Sequence, residues 1–329
     1  MNEAYLNIKD LNVYFNNKGG QVTALNAINL SLNKGEVLGL IGESGSGKSL
    51  LLKTMLQLLP KQRTSVSGEI HVNGRNVLTL DKKALRAYRG GEVAMAFQEP
   101  ATAMDPVFTV GNQIINTIMA HKKCTKAEAR AKAIEMLELV KIPSARSRLN
   151  NYPHELSGGM RQRVMIALAL STEPALLLAD EPTTALDATV QIQVILLLRE
   201  LQKKLGMSMI FVTHDVGVAA EVSDNIAVMY GGRLLEYGSA KNVLVSPRHP
   251  YTEALLASNV QNIEPGARID TIPGMPPDLA NIPAGCVFAP RCKYAEDACL
   301  EKQPALKAIS EGNLVACIKI NEDVLNEQV

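Results

Sequence analysis

Apolar and polar positions alternate in several short stretches of this chain, and continuously apolar runs separate longer amphipathic ones. Residues 5–40 alternate as half-exposed strands do, with Gly and Asn at the turns. Two runs, 37–41 and 175–179, are apolar throughout, which is typical of strands buried on both faces. Strand character also returns within residues 66–98 (VSGEIHVNG, then VAMAFQ), at 208–213 and at 225–229.

Helical periodicity dominates two parts of the first half of the chain. A helix is predicted over about 48–59, and Pro60 stops it. The pattern of residues 107–174 is helical as well, and Thr125 with Glu128 forms a capping box within it.

A third helix, over 188–204, is amphipathic, with Asp187 as its N-cap and Gly206 as its terminator. Strands that alternate with helices imply an α/β core built on a mainly parallel sheet. The long helical region is interpreted as a subdomain inserted into that core, over about 105–174.

The composition changes near residue 246, where prolines become frequent. We place a domain boundary near 250, which divides the chain into a large domain, 1–250, and a C-terminal module of short elements, 251–329. A chain of 329 residues with 47% hydrophobic residues is long enough for this arrangement.

The charge balance and the scarcity of aromatic residues exclude some classes of partner. The chain has 34 Lys and Arg against 33 Asp and Glu, and 4% aromatic residues, which disfavours a nucleic-acid partner. No apolar run is long enough to span a bilayer, and the N-terminus has no signal-peptide character. We therefore expect a cytoplasmic protein that reaches a membrane only through a partner.

A glycine-rich octapeptide separates the apolar run 37–41 from the helix that follows, and it matches G-x-x-x-x-G-K-[ST]. Such a loop curls so that several backbone N–H groups point at one anion, whereas an accidental Gly-rich turn would lack this strand-and-helix context. Lys48 is expected to reach the β- and γ-phosphates of ATP, and Ser49 to ligate Mg²⁺. The predicted ATP contacts in the loop are Gly42, Ser44, Gly45, Ser46, Gly47, Lys48 and Ser49.

The apolar run 175–179 is followed by two carboxylates. Beside a phosphate loop, Asp180 is expected to hold Mg²⁺ through water, and Glu181 to polarise the water that attacks the γ-phosphate. The alternative is a surface Asp-Glu pair that opens a turn before Pro182. The phosphate loop in the same chain favours the catalytic interpretation.

Three further positions carry polar groups at the ends of predicted elements. Ser157 and the N–H groups of Gly158 and Gly159 precede a helix and form a second anion site. His214 follows a strand and is expected near the γ-phosphate, the alternative being a structural histidine. Gln98 also ends a strand and is expected to contact the metal and water, the alternative being an ordinary polar residue.

Together these residues resemble the ATPase subunit of ATP-binding-cassette (ABC) transporters, over about residues 5–245. GESGSGKS is similar to the family's Walker A motif, LLLADE to Walker B with its catalytic glutamate, and LSGGM to the family signature. The resemblance makes His214 the switch histidine, Gln98 the Q-loop residue and a Mg²⁺ ligand, and Asp187 a D-loop residue. The chain departs from the family at Met160, where Gln is more usual, and that position is peripheral to the phosphate contacts.

The resemblance also implies an assembly. Phe15, with Tyr14 as the alternative, is placed where the family stacks an aromatic ring on adenine. A further alternative is that both are ordinary strand residues. Two cassettes would pair head to tail, so that Ser157, Gly158 and Gly159 serve the partner's ATP. ATP binding would close the dimer, hydrolysis would open it, and the motion would drive a membrane channel.

The implied partners are a second, homologous cassette subunit, two transmembrane permease subunits and an extracytoplasmic binding protein. A homodimer of cassettes is the alternative to a heterodimer. The segment 99–105 would form part of the groove that receives a coupling helix from a permease. The chain is therefore expected on the cytoplasmic side of the bacterial inner membrane, held there by the permeases.

Beyond residue 245, the segments HPYTEALL, IPGMPP and CVFAPRC resemble the oligopeptide/dipeptide branch of these importers. That branch includes importers of di- and oligopeptides, nickel, glutathione and opine-like compounds, and the residues do not choose among them. A soluble ABC ATPase of translation or DNA repair is an alternative, disfavoured by the single signature and the absence of a heptad insertion. A redox module in which ATP binding gates a cluster is a third hypothesis.

Four of the five cysteines lie in the last 44 residues, which points to a metal before disulfides in a reducing compartment. The intervals between them are five, six and seventeen residues, unlike the C-x₂-C pairs usual for zinc. Together with a resemblance to cluster-bearing members of the branch, this favours a [4Fe–4S] cluster, with zinc and free buried thiols as alternatives. Cys124 is interpreted as an ordinary residue, and the predicted cluster ligands are Cys286, Cys292, Cys299 and Cys317.

Overall fold

The protein has the α/β architecture that its sequence predicts. The structure is a computed structural model, and it describes residues 4–17, 20–184, 186–258 and 271–319. None of the described helices is both long enough and apolar enough to cross a membrane.

The first of two compact units comprises Met1–Leu78 and Thr213–Val329. It contains an antiparallel sheet in which strand order is β2-β1-β4-β5. Alternating apolar residues of this sheet face inward and are fully buried, which explains the period of two in the sequence. The strands are β1 (Leu6–Asn17), β2 (Gly20–Leu32), β4 (Thr64–Val72) and β5 (Arg75–Asn76).

A second group of strands in this unit leads to the glycine-rich loop. Strand β3 is buried at all five positions and pairs in parallel with β9. Strand β10 is antiparallel to β9 and β12, and β12 pairs with β11. The bounds are β3 (Val37–Ile41), β9 (Asn225–Tyr230), β10 (Arg233–Ser239), β11 (Lys307–Ser310) and β12 (Asn313–Val315).

Apolar residues from distant parts of the sequence form one core cluster in the first unit. Tyr230, Tyr251 and Phe288 lie at its centre, with ring centroids 4.5 to 5.4 Å apart. The C-terminal residues therefore share a core with the strand beside β3. The helices of this unit are α1 (Lys48–Met55), α9 (Val216–Val222), α10 (Ala240–Val245), α11 (Pro250–Ala257) and α12 (Asp297–Glu301).

The second compact unit is Thr79–Val212. Its three parallel strands, in the order β8-β7-β6, are β6 (Val93–Ala96), β7 (Leu176–Asp180) and β8 (Ser208–Val212). Its helices are α2 (Lys82–Tyr88), α3 (Pro100–Ala103), α4 (Val110–His121), α5 (Lys126–Leu139), α6 (Ala145–Arg148), α7 (Gly158–Leu170) and α8 (Ala188–Leu205).

Local capping signals in the sequence are confirmed. The reciprocal capping box of Thr125 and Glu128 opens α5. The Asp187 carboxylate accepts a hydrogen bond from the backbone N–H of Val190 at the start of α8, and Gly206 ends that helix at φ 62°.

Two predictions of elements are wrong in detail, and a third is confirmed. The helix predicted over about 48–59 ends at Met55, before the residues that lead to Pro60. The two strands expected within 66–98, VSGEIHVNG and VAMAFQ, are found as β4 and β6, and α2, which Asp81 caps, lies between them. Strands were predicted to end with residue 229, but β10, β11 and β12 follow, because antiparallel pairing there depends on distant partners.

Candidate functional site

The glycine-rich loop joins β3 to α1 in the first unit, and two of its glycines are required by geometry. A Cβ at Gly42 would lie 2.1 Å from the carbonyl oxygen of Met229, so no larger residue fits there. Gly47 has φ 105° and forms the N-cap of α1. The loop therefore turns tightly enough to direct backbone N–H groups toward one anion.

Lys48 lies within the loop and is 5% exposed. Its ammonium donates hydrogen bonds to the carbonyl oxygens of Gly42 and Glu43, at 2.7 and 2.8 Å, and approaches Ser46 Oγ at 3.3 Å. A buried cation inside a loop that precedes a helix is well placed to meet a phosphate. The first unit brings together all seven loop residues that the sequence predicts as ATP contacts.

His214 and Phe15 also lie in the first unit. His214 is exposed, and it follows Thr213, whose backbone N–H donates to the carbonyl of Leu40 in β3 at 3.2 Å. Phe15 is half-buried on β1, opposite Val22 and Thr64. No ring stacking or charge role can be assigned to either from these contacts, so their nucleotide roles stay predictions.

The second unit carries the predicted acidic pair at the end of β7. Asp180 is 4% exposed, and Glu181 has φ 44°, a left-handed conformation that is uncommon outside glycine. The Glu181 N–H donates to the Val212 carbonyl at 3.1 Å, which holds the backbone in this conformation. Such strained backbone is concentrated at functional sites.

Two side chains orient the Glu181 carboxylate. Its Oε2 accepts a hydrogen bond from Thr184 Oγ1 at 2.8 Å and a longer one from Gln98 Nε2 at 3.3 Å. The structure thus brings together Gln98 and Glu181, which the sequence predicted separately. The contact of Thr184 was not predicted, although a hydroxyl three residues after a carboxylate at a turn is a recognisable signal.

The second predicted anion site lies at the start of α7. Ser157 Oγ accepts a hydrogen bond from the N–H of Met160 at 3.3 Å, and both Ser157 and Gly158 are exposed. A Cβ at Gly159 would lie 2.8 Å from a methyl carbon of Val190 in α8. Gly159 therefore allows the close approach of the two helices whose N-termini carry Ser157 and Asp187.

The four C-terminal cysteines converge in the first unit. They line one cavity of about 20 Å³, together with the buried His249. His249 Nε2 faces the Ala316 carbonyl without meeting hydrogen-bond geometry, so a polar group stands unsatisfied at a thiol-lined cavity. Burial lowers the pKa of His249 to about 3.

The chemistry of the four cysteine thiols fits a metal, although their side chains do not stand in the geometry of a formed metal site. Burial raises the pKa values of Cys286 and Cys292, so both thiols are neutral unless a cation stabilises their thiolates. Across the described residues, no group of three or more His, Cys, Asp or Glu side chains stands in metal-binding geometry. The four sulfur atoms are therefore the type of ligand that a thiolate-bound metal requires, and the cluster stays a proposal.

Sequence reasoning missed a link between the C-terminal residues and the loop. The Glu43 N–H donates to Tyr251 Oη at 2.8 Å, and the Glu43 carboxylate pairs with Arg291. Arg291 belongs to the CVFAPRC segment, but nothing in its spacing indicates a partner that lies 248 positions earlier.

Two family models match parts of this chain. A family model described as ABC transporter matches residues 25–184, and one described as Oligopeptide/dipeptide transporter, C-terminal region, matches residues 235–299.

Curated relatives match nearly the whole chain. A probable peptide ABC transporter ATP-binding protein, y4tR, of Sinorhizobium fredii is 46% identical, over 97% of this chain and 96% of its own. The oligopeptide transport ATP-binding protein OppD of Salmonella typhimurium is 46% identical, over 97% of this chain and 95% of its own. OppD of Escherichia coli is 46% identical, over 98% and 95%.

Two solved structures have the same fold as most of this chain. The ATP-binding cassette MJ0796, in a dimeric post-hydrolysis state bound to ADP and Pi, has a TM-score of 0.64 at 27% identity, covering 71% of this chain and 98% of its own. The cbiO1 protein of Clostridium perfringens, part of the ABC transporter complex cbiONQ, has a TM-score of 0.63 at 30% identity, covering 74% and 92%.

Proposed function

Because this chain belongs to the ATP-binding proteins of oligopeptide/dipeptide-type ABC transporters, we propose that it hydrolyses ATP to energise import of di- or oligopeptides. The observation that carries the ATP-binding part is the buried Lys48 ammonium inside a loop of convergent backbone groups. The peptide assignment is supported by the names of the relatives. Nickel, glutathione and opine-like compounds are the alternative cargoes within the branch.

We assign the following roles to this chain's own residues. The loop backbone and Lys48 bind phosphate oxygens, and the Ser49 hydroxyl and Gln98 supply oxygen ligands of the kind that Mg²⁺ prefers. The buried Asp180 holds Mg²⁺ through water. Glu181, oriented by Thr184, accepts a proton from the attacking water. His214 acts with it as a catalytic residue, and the remaining assigned residues are Phe15 at adenine, Asp187 in the D-loop and Ser157, Gly158 and Gly159 at the partner's ATP.

The assembly that we propose is a cassette dimer, and a dimeric solved cassette supports it. The second cassette is a homologous but different subunit, and two permease subunits and an extracytoplasmic binding protein complete the transporter. The chain then works on the cytoplasmic face of the bacterial inner membrane. Full transport by a complex whose only cassette is this chain would refute the heterodimer.

The domain division that we propose is an ABC ATPase domain, 1–250, with a helical subdomain at about 105–174, and a Cys- and Pro-rich module, 251–329. The separate matches of two family models support this division, although the second model begins at residue 235.

The test of the transport proposal uses the assembled complex. Reconstituted with its permeases, binding protein and second cassette, the protein is expected to hydrolyse ATP faster when the binding protein carries a peptide. Peptide-independent hydrolysis together with no uptake would favour the alternative, a soluble ABC ATPase without a transport role.

The cysteine module is proposed to hold a [4Fe–4S] cluster, with zinc as the alternative. The convergence of Cys286, Cys292, Cys299 and Cys317 on one cavity supports four thiolate ligands. When bound, such a cluster would cross-link the C-terminal module and would supply one-electron redox chemistry. We expect anaerobically purified protein to be brown and to contain iron and labile sulfide, both lost in Cys292→Ser. A colourless preparation with stoichiometric zinc would overturn the assignment.

A further inference from the structure

Arg291 forms a two-pronged ion pair with the phosphate loop. Its Nη1 and Nη2 atoms donate to the two carboxylate oxygens of Glu43 at 2.6 and 3.1 Å. The Arg291 side chain is 5% exposed, and that of Glu43 is 24% exposed. A planar guanidinium suits this geometry, whereas a lysine ammonium cannot reproduce both hydrogen bonds.

The rest of the guanidinium is fixed as well. Arg291 Nη1 donates to Tyr230 Oη at 3.0 Å, Nε donates to the Pro273 carbonyl at 2.7 Å, and Nη2 donates to the Ile272 carbonyl at 3.2 Å. Every nitrogen of the guanidinium therefore has an acceptor. The position of Arg291 is set by the C-terminal region and by β9, independently of any ligand in the loop.

Glu43 is the second residue of the loop, and its backbone is bonded on both sides. Its N–H donates to Tyr251 Oη at 2.8 Å, and its carbonyl accepts from Lys48 Nζ at 2.8 Å. The residue that pairs with Arg291 thus also holds the lysine that is expected to meet the β- and γ-phosphates.

Glu43 poses an electrostatic difficulty for a nucleotide site. A carboxylate in the loop repels the phosphates of ATP unless a cation neutralises it. Arg291 is the cation that the structure places on Glu43.

We propose that Arg291 is a positioning residue for ATP, which acts through Glu43 by neutralising its carboxylate and fixing the loop before the nucleotide arrives. The inference rests on the ATP site proposed above. It assigns to the C-terminal region a part in nucleotide affinity, because a preformed loop binds without the cost of being ordered.

A double-mutant cycle on the full-length protein tests this inference by titration with MgATP. Arg291→Met should raise the Kd about tenfold, since it leaves an unpaired carboxylate, that of Glu43, within the phosphate loop. Glu43→Gln alone should change the Kd by less than about threefold, because no charge is left to neutralise. The double variant should bind like Glu43→Gln, which a merely structural role of Arg291 would not produce.

The matched control is Lys293→Met. Lys293 lies two residues from Arg291 and pairs with the exposed Glu253 on α11, and its removal should leave the Kd unchanged. Wild-type affinity in Arg291→Met, or equal weakening in Arg291→Met and the double variant, would overturn the inference. Lys48→Ala distinguishes a failure of the ATP site from a failure of the role of Arg291. If Lys48→Ala retains its affinity for MgATP, the proposed ATP site is wrong. If Lys48→Ala loses that affinity while Arg291→Met binds normally, only the role of Arg291 is contradicted.

Discussion

At the scale of single residues, the turn that follows β7 orients Glu181, the residue proposed as the base. Glu181 follows an apolar strand, and that context alone marks it as a candidate base. Its left-handed φ of 44° and its hydrogen bond from Thr184 depend on how the turn after β7 closes. A pattern of residue types does not specify such a turn, because several backbone conformations are compatible with the same short sequence.

The role of Glu181 predicts a loss of hydrolysis without a loss of binding. Glu181→Gln keeps the acceptor for Thr184 but removes the base, so ATP turnover should fall about 10²–10⁴-fold. Nucleotide titration should show unchanged affinity, and the closed dimer should accumulate. The control is Glu200→Gln, which removes an exposed carboxylate paired with Lys141 on the same unit. Normal turnover by Glu181→Gln would show that another group is the base.

The burial of Lys48 in the phosphate loop predicts that its removal abolishes nucleotide binding. Lys48→Ala removes the ammonium that the carbonyls of Gly42 and Glu43 hold in place, so MgATP binding should be lost. Lys53→Ala, in the last turn of the same helix, is the matched control and should bind normally. Undiminished affinity of Lys48→Ala in the titration would rule out this loop as the phosphate site.

At the scale of elements, prediction succeeded where the signal is local and failed where it is not. The capped ends of α5 and α8 are specified by side chains within three residues, so the sequence located both. Strands β10 and β12 pair residues about 80 positions apart, such as Glu236 with Val315, and no local pattern reports that pairing. The α/β class was predictable because buried parallel strands read as continuous apolar runs.

One contact between elements predicts a stability effect. Glu236 on β10 is 3% exposed, and its two carboxylate oxygens accept from the N–H groups of Arg248 and His249, which lead into α11. Glu236→Gln leaves one of these N–H groups facing an amide donor, a cost of about 1–3 kcal/mol. The thermal unfolding midpoint should fall by several degrees. Glu253→Gln, an exposed change of the same chemistry, should leave it nearly unchanged.

The pH dependence gives this prediction a second measurement. Burial raises the pKa of Glu236 above its ordinary 4.5. As the pH rises from 4.5 through the raised folded-state pKa, the unfolded state releases the proton first, so the wild type loses stability. The stability of Glu236→Gln lacks this dependence on pH. The difference between the two midpoints should therefore be largest at low pH and shrink as the pH rises, and a constant difference would contradict the assignment.

At the scale of the whole molecule, the C-terminal region is part of the structure around the phosphate loop. The sequence predicted a separate metal-binding module, and it located the four cysteines that line one cavity. It could not predict that Phe288 packs against Tyr230, or that Arg291 reaches Glu43, because these partners are far apart in the chain. The phosphate loop and the cavity lined by the cysteines, which look independent in the sequence, therefore lie within one unit.

This joining predicts that the metal site influences nucleotide affinity. Arg291 directly precedes Cys292, and the Cys292 N–H donates to the Ala289 carbonyl at 3.2 Å in a single short turn that carries both residues. The metal proposed at Cys292 would fix this turn, so Cys292→Ser should weaken the ion pair between Arg291 and Glu43. We expect the Kd for MgATP to rise about fivefold, and adding Cys292→Ser to Arg291→Met should give no rise beyond that of Arg291→Met alone.

The control for this experiment is Cys124→Ser, since Cys124 lies in the second unit and outside the thiol cavity. It should retain both the metal content and the affinity of the wild type. Metal analysis of the same preparations ties the effect to occupancy, because the rise in Kd should follow the fraction of protein without metal. If metal-free Cys292→Ser binds MgATP as tightly as the metal-loaded wild type, the cysteine site and the loop are energetically independent. Arg291 would then hold the loop through its contacts to Tyr230, Ile272 and Pro273 alone.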